Sequence, residues 1–182
     1  QPLPLDTPFT DERGQTVRLG QYFGSKPVVL AFVYYSCPML CTQVLNAMTS
    51  TLGVLSLDAG KDFEVVLVGF DPREKPEQAA AKKAEQLLRY KRPGADAGWH
   101  FLNGAEPAIK KVASAAGFRY VWDEATNQFA HPTGIIIVTP DGRPATDTAA
   151  TRRAARPAPP QSGQAPLASP GSRDRSTSAR RS

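Results

Sequence analysis

The chain's two cysteines, Cys37 and Cys41, stand four residues apart at the end of an apolar run, and this junction constrains the fold more than any other stretch. Val28-Val29-Leu30-Ala31-Phe32-Val33 is short, β-branched and preceded by Pro27, the pattern of a buried strand. Pro38 suits the first turn of a helix, where its missing N–H costs nothing. The pattern predicts a strand-to-helix turn with Cys37 at the N-cap and Cys41 about one turn further in. Free N–H groups and the positive end of the helix dipole favour a thiolate there, and cysteines at helix N-termini have pKa values lowered to roughly 3.5–7.5. A thiolate is both a nucleophile and a metal ligand. The plainer alternative is two buried structural cysteines. The exposure expected of a strand-to-helix turn speaks against it.

Three residues separate the cysteines, where the usual dithiol-disulfide motif has two. Side chains at i and i+4 of a helix have Cβ atoms roughly 5–6 Å apart, whereas a disulfide wants about 3.5–4.5 Å. Oxidation must therefore distort the first turn, which a cap residue tolerates. A metal bridging two sulfurs, each bond near 2.3 Å as for zinc, spans the wider gap without strain. Soft thiolates select Cu(I), Zn or Fe–S, and two cysteines cannot hold a four-thiolate cluster. A third ligand has to come from elsewhere, and the chain offers two histidines, His100 and His131.

A length of 182 residues suffices for one domain with a real core. No apolar run is long enough for a transmembrane helix. No signal peptide is evident and the first residue is Gln1, so a processed or trimmed chain is expected. The net charge of +5 does not mark a nucleic-acid surface. Residues 1–143 carry 15 Lys/Arg and 15 Asp/Glu, and the excess comes from 7 Arg against 2 Asp in residues 144–182.

In order, residues 9–19 around Gly14 read as a hairpin. The strand at 28–33 and the cysteine turn follow. Thr42 to Leu57 reads as a helix with Val44, Leu45, Met48, Leu52 and Leu55 at spacings of three and four. Met48 falls on that stripe and is expected in the core, and Met39 is expected to pack or line the mouth of the turn. A second buried strand spans 63–70 and ends in Asp71-Pro72. Pro76 opens a helix to about Tyr90, with Lys82, Lys83, Lys91 and Arg92 expected on a solvated face. A loop at 91–98, a short strand 99–102, a helix from Glu106 ended by Gly117, a hairpin pair at 118–122 and 127–130, and a strand 134–139 with the turn Pro140-Asp141-Gly142 complete the pattern. Strands alternating with helices imply a parallel central sheet, with chemistry beyond the carboxyl ends of its strands. Cys37 and Asp71 lie just after such strands. His131 reaches the same edge if the strand 134–139 runs antiparallel.

With these residues in view the sequence resembles the Sco/SenC family, copper-binding proteins of thioredoxin-like fold, over roughly residues 5–143. The resemblance rests on Pro8-Phe9 with Gly14, on Val33-Tyr34-Tyr35-Ser36-Cys37-Pro38-Met39-Leu40-Cys41, on Asp71-Pro72, and on His131 before the strand to Pro140-Asp141-Gly142. It implies an α/β, thioredoxin-like fold with an N-terminal β-hairpin. It also implies copper, Cu(I) or Cu(II), held by Cys37, Cys41 and His131, with Asp71 either near the site as a supporting group or simply a turn residue. The implied role is a metallochaperone in cytochrome c oxidase assembly, delivering copper to, or maintaining the thiols of, the oxidase's binuclear copper site. The partner is that copper-site subunit or another copper protein. The implied location is the periplasmic side of the bacterial inner membrane, with any membrane attachment through a segment absent from this chain. Met39 and Thr42 stand where family members often have Asp and Pro, and Pro132 directly after His131 is unusual. The isomer of the His131–Pro132 bond stays open.

The tail departs further. Residues 144–182 contain no aromatic, Val or Ile and a single Leu167, too little apolar surface to offset ordering entropy. The C-terminal strand and helix of the family are therefore expected to be missing or replaced. The expected division is a copper-binding domain at 1–143 and a disordered or frame-shifted tail at 144–182. The competing function is a thiol–disulfide oxidoreductase, with Cys37 attacking and Cys41 resolving. A peroxidase is disfavoured by Tyr34, where peroxiredoxins usually carry Thr or Ser, and an inert dithiol in a binding module is the remaining reading. His100, between Trp99 and Phe101, is expected to be a packed histidine.

Overall fold

The computed structural model describes residues 1–36, 40–125, 128–132 and 134–145, and for Leu40, Cys41 and Gln128 only the backbone. Its centre is a four-stranded sheet in the order β5-β4-β3-β8. The strands are β3 (Val28–Val33), β4 (Glu64–Gly69), β5 (Trp99–Leu102) and β8 (Ile135–Val138). β3 pairs in parallel with β4, and β4 with β5, while β8 runs antiparallel along β3 with Ala31 opposite Ile135. All six residues of β3 are buried. A strand covered on both faces needs no polar alternation, so it reads as one apolar run.

The period of two divides that run between two cores. Val29, Ala31 and Val33, with Val65 and Leu67, pack against Leu45, Met48 and Leu52 of α1 (Leu40–Val54) and Ala79 of α2 (Pro76–Tyr90). Val28, Leu30 and Phe32, with Val66 and Val68, pack against Ile109, Val112 and Ala113 of α3 (Glu106–Ala115). Met48 is thus in the core, as its place on the stripe predicts. The N-terminal hairpin is β1 (Pro8–Thr10) and β2 (Thr16–Arg18), and Thr10 forms a bridge with Asn103 beyond β5. A second hairpin joins β6 (Val121–Asp123) and β7 (Gln128–Ala130), with Val121 opposite Ala130. Gly117 ends α3 in the left-handed region at φ +78°, where a Cβ is strained.

Two expectations are corrected. The helix expected over Thr42–Leu57 begins at Leu40 and ends at Val54, and Leu55 and Leu57 are exposed. Arg92 explains the stop. Its guanidinium donates to the carbonyls of Gly53, Leu55 and Leu57 and pairs with Asp58, capping the helix end from a distant segment. Arg92 therefore does not belong to a solvated face. Nor does Lys83, which is buried, with Nζ 2.6 Å from Glu12 and 3.1 Å from Asp96. Glu12 also accepts from the backbone N–H of Phe101 at 3.2 Å, so this ion pair fastens the first hairpin to the sheet and α2.

Beyond Arg143 the described chain still pairs. Pro144 bridges to Val138, and the Ala145 N–H donates to Ile137 O at 2.7 Å. The tail expected from 144 onward otherwise lies outside the described residues.

Candidate metal centre

The candidate centre lies at the carboxyl edge of β3 and β4. β3 delivers Tyr34, Tyr35 and Ser36 to that edge. Tyr35 is buried, and its hydroxyl donates between the carbonyls of Leu102 (3.0 Å) and Leu67 (3.2 Å). Burial, reinforced by the Glu74 charge, holds its pKa well above the usual phenol value, so it stays a neutral donor. The ring fits because Gly69 lies beneath it: a Cβ there would stand 2.8 Å from Tyr35 Cε2. Cys37 and Met39 fall outside the described residues. Cys41 is the second residue of α1, in the first helical turn.

His131 lies just before β8. Because β8 runs antiparallel to β3, the start of β8 and the end of β3 share one edge, the condition set by the sequence for His131 to reach it. The half-buried imidazole packs against Phe70 at 4.8 Å and Phe118 at 6.2 Å between ring centroids. Its Nδ1 lies 2.8 Å from the Pro132 carbonyl. A carbonyl only accepts, so Nδ1 is the donor in this contact, which leaves Nε2 as the ring nitrogen able to ligate a metal. The His131–Pro132 bond is trans.

His131 also lines a cavity of about 20 Å³ together with Val44, Leu45 and Met48 of α1 and Ile135 of β8. That volume is enough for one water-sized group. Cys41 precedes Val44 and Leu45 by three and four residues and so shares their helix face by register. The fold thus brings the His131 side chain to the face of α1 whose first turn holds Cys41. Among the described residues, no three His, Cys, Asp or Glu side chains gather as a metal site. One expected ligand, Cys37, and the side chain of another, Cys41, lie outside that set.

Asp71 is buried, but its carboxylate is taken by Arg73, with Nε 2.8 Å from Oδ1 and Nη2 2.7 Å from Oδ2. The Arg73 backbone N–H adds a bond of 3.0 Å to Oδ1, so Asp71 closes the turn after β4. Arg73 in turn lies over Trp122 at 4.7 Å. His100 is the packed histidine expected from its neighbours: Nε2 is 3.0 Å from Glu64 Oε2 and the ring lies 4.2 Å from Tyr22.

Three groups escaped the sequence reading. Phe70, fully buried, is the ring on which His131 rests. Glu74, buried three residues after Asp71, accepts the backbone N–H groups of Ser36 (2.6 Å) and Tyr35 (3.1 Å). Burial pushes its carboxyl pKa up, while those two N–H bonds pull it down. Gln78 Nε2 donates to Ser36 Oγ at 2.6 Å. Glu74 and Gln78, with Tyr34, Ser36, Asp71, Arg73 and Trp122, line an open polar cleft of about 300 Å³. A charged residue before a helix carries no local sign that it reaches back across the sheet edge.

A mixed sheet covered by helices on both faces, with a cysteine-bearing helix starting at its carboxyl edge, defines a thioredoxin-like fold. Within that fold, the chain belongs to the SCO1/SenC family, whose model matches residues 5–158, further than the motifs alone had reached. A Stutzerimonas stutzeri protein named "Putative copper-binding protein" is 27% identical over 118 residues, 63% of this chain and 53% of that protein. The chain thus spans about half the length of the curated relative it matches. The apo Sco1 solution structure from Thermus thermophilus superposes with a TM-score of 0.59 at 26% identity, over 79% of this chain and 80% of that one. Arabidopsis thaliana ScoI, crystallised with copper bound, gives 0.62 at 20% identity over 80% and 84%, and supports the fold.

Proposed function

We propose that the protein is a copper metallochaperone that binds the ion through Cys37, Cys41 and His131. The observation that supports this reading is the antiparallel β8, which brings His131 beside Val44, Leu45 and Met48 of α1. Two thiolates and an imidazole suit Cu(I) in trigonal coordination, and the imidazole makes Cu(II) accessible as well. The copper is cargo. It leaves by exchange for a partner's competing thiols, and the partner of this reading is the copper-site subunit of cytochrome c oxidase or another copper protein. Such thiol traffic belongs on the periplasmic side of the bacterial inner membrane. Among the described residues no helix is long and apolar enough to cross a membrane. Asp71 stays outside the ligand set in this scheme, holding the turn beside the site.

A titration of the reduced protein with Cu(I) and Cu(II) tests the assignment. Cys37→Ser and Cys41→Ser replace a soft thiolate by a hard hydroxyl, so Cu(I) binding collapses. His131→Ala leaves a two-thiolate Cu(I) complex and abolishes most Cu(II) binding. His100→Ala changes neither. Wild-type binding in all four variants would overturn the copper reading.

The second reading, a thiol–disulfide oxidoreductase, draws on the place of Cys41 in the first turn of α1, where the helix dipole favours a thiolate. Cys37 then attacks and Cys41 resolves. Turnover of a disulfide substrate that survives His131→Ala, without copper retention, supports it.

A further inference from the structure

Resting on the reading that Cys37 and Cys41 act as a pair, we propose that Glu74 is a positioning residue for that pair, clamping the Tyr35–Ser36 backbone ahead of Cys37 from just before α2. The two residues directly before Cys37 give both their N–H groups to one carboxylate, Ser36 to Oε1 at 2.6 Å and Tyr35 to Oε2 at 3.1 Å. N–H groups between a strand and a helix have no ladder partner, and a buried one left unmade is costly. Glu74 supplies that partner from 38 residues away in sequence, so the contact is tertiary and specific to this fold. Two further bonds aim the clamp. The Glu74 N–H donates to Asp71 O at 3.2 Å, within the turn that Asp71 and Arg73 close. Gln78, one helical turn on, holds Ser36 Oγ. The carboxylate is thus fixed at its base, and the Tyr35–Ser36 backbone is fixed by it.

The consequence falls on the dithiol. A disulfide between Cys37 and Cys41 forms according to how often the chain presents one sulfur to the other. On this proposal the clamp holds Cys37 within reach of Cys41, so releasing the backbone of the preceding residues lowers that effective concentration. The step is balanced: protein dithiol plus glutathione disulfide gives protein disulfide plus two glutathione thiols.

The test is the equilibrium constant of that exchange, measured on the metal-free full chain in glutathione buffers. Glu74→Ala, which frees both N–H groups, lowers the constant by about tenfold, the effect of ordering roughly one residue. Glu74→Gln keeps one acceptor oxygen and falls between Ala and wild type, so it also serves if the Ala variant does not fold. Ile109→Val, a small truncation in α3 on the other core, is the control for general destabilisation and leaves the constant unchanged. The order wild type, Gln, Ala, with the control at wild type, supports the clamp. Constants for the folded Glu74 variants that equal wild type, or match those of the Ile109 control after any shift, overturn it. A wild-type protein that fails to bind copper removes the copper reading and leaves this result standing, because the exchange needs no metal.

Discussion

Phe70 is the wall behind His131, and replacing it separates support of the site from support of the fold. The side chain is fully buried and lies 4.8 Å from the His131 ring, 5.2 Å from Tyr120, 5.3 Å from Phe129 and 5.6 Å from Phe118. Phe70→Ala removes the ring and leaves a cavity, so a loss of about 3–5 kcal/mol is expected. Phe70→Leu retains most of the volume. It costs about 1–2 kcal/mol, combining a modest repacking term with the loss of aromatic pairs. The folded Leu variant then reports on the site. Without its flat partner the imidazole regains rotamer freedom, and ordering it again on binding costs about 0.5–1.5 kcal/mol, on the order of three- to tenfold in affinity. Under the copper reading, that loss should appear for Cu(II), which would depend on the imidazole, and hardly at all for Cu(I), which two thiolates would hold. Urea unfolding gives the stabilities, and copper titration of the Leu variant gives the affinities. A loss below about 1 kcal/mol for Phe70→Ala would refute the packing argument. Unchanged Cu(II) affinity in a folded Phe70→Leu protein would refute the claim that the ring positions His131.

Gly69→Ala places a Cβ 2.8 Å from the Tyr35 ring, so the ring must shift off the carbonyls of Leu67 and Leu102; a loss of about 1–3 kcal/mol in urea unfolding is expected. Lys83→Ala strands Glu12 among buried groups and should cost about 3 kcal/mol, while pairing it with Glu12→Gln should recover part of that loss in a double-mutant cycle. Burial lowers the His100 pKa below its ordinary 6.5, against the opposing pull of Glu64. The unfolded chain therefore takes up this proton first, and stability should fall as pH drops from about 6.5 toward the folded value. His100→Gln should flatten that segment of the stability–pH curve. An identical slope in the variant would assign the effect to other groups.

What the sequence made legible follows the range of the interactions involved. β3, α2 and β5 were marked by local patterns, an all-apolar run, a Pro76 start and a short aromatic strand, and the structure places them at or within a residue of the expected bounds. The end of α1 was not, because Leu55 and Leu57 continue an apolar pattern while Arg92, dozens of residues later, takes the carbonyls. Lys83 misled for the same reason. Its partner Glu12 is 71 positions away, and a lysine on a polar helix looks solvated until that partner is known. His131 was accessible to reasoning through topology alone, since one reversed strand decides which edge it meets. Glu74 and Phe70 give no such sign. One is a carboxylate two residues before a helix and the other the residue that follows a strand, and only the packed edge shows what each holds.

The supports of the candidate ligands come from different elements. Cys41 rides on the first turn of α1, and the backbone before Cys37 is tied to the approach to α2 through Glu74. His131 stands outside both helices, on an aromatic wall and the start of an edge strand. Under the copper reading this division has a chemical consequence. Cu(I) is satisfied by two soft sulfurs, whereas Cu(II) needs nitrogen as well. The donor whose departure separates the two oxidation states is thus the one whose movement breaks no helical hydrogen bond. On that reading a bound copper ion would loosen its imidazole, offer an open coordination position to a partner's thiol and leave by stepwise exchange, while Glu74 holds the Tyr35–Ser36 backbone.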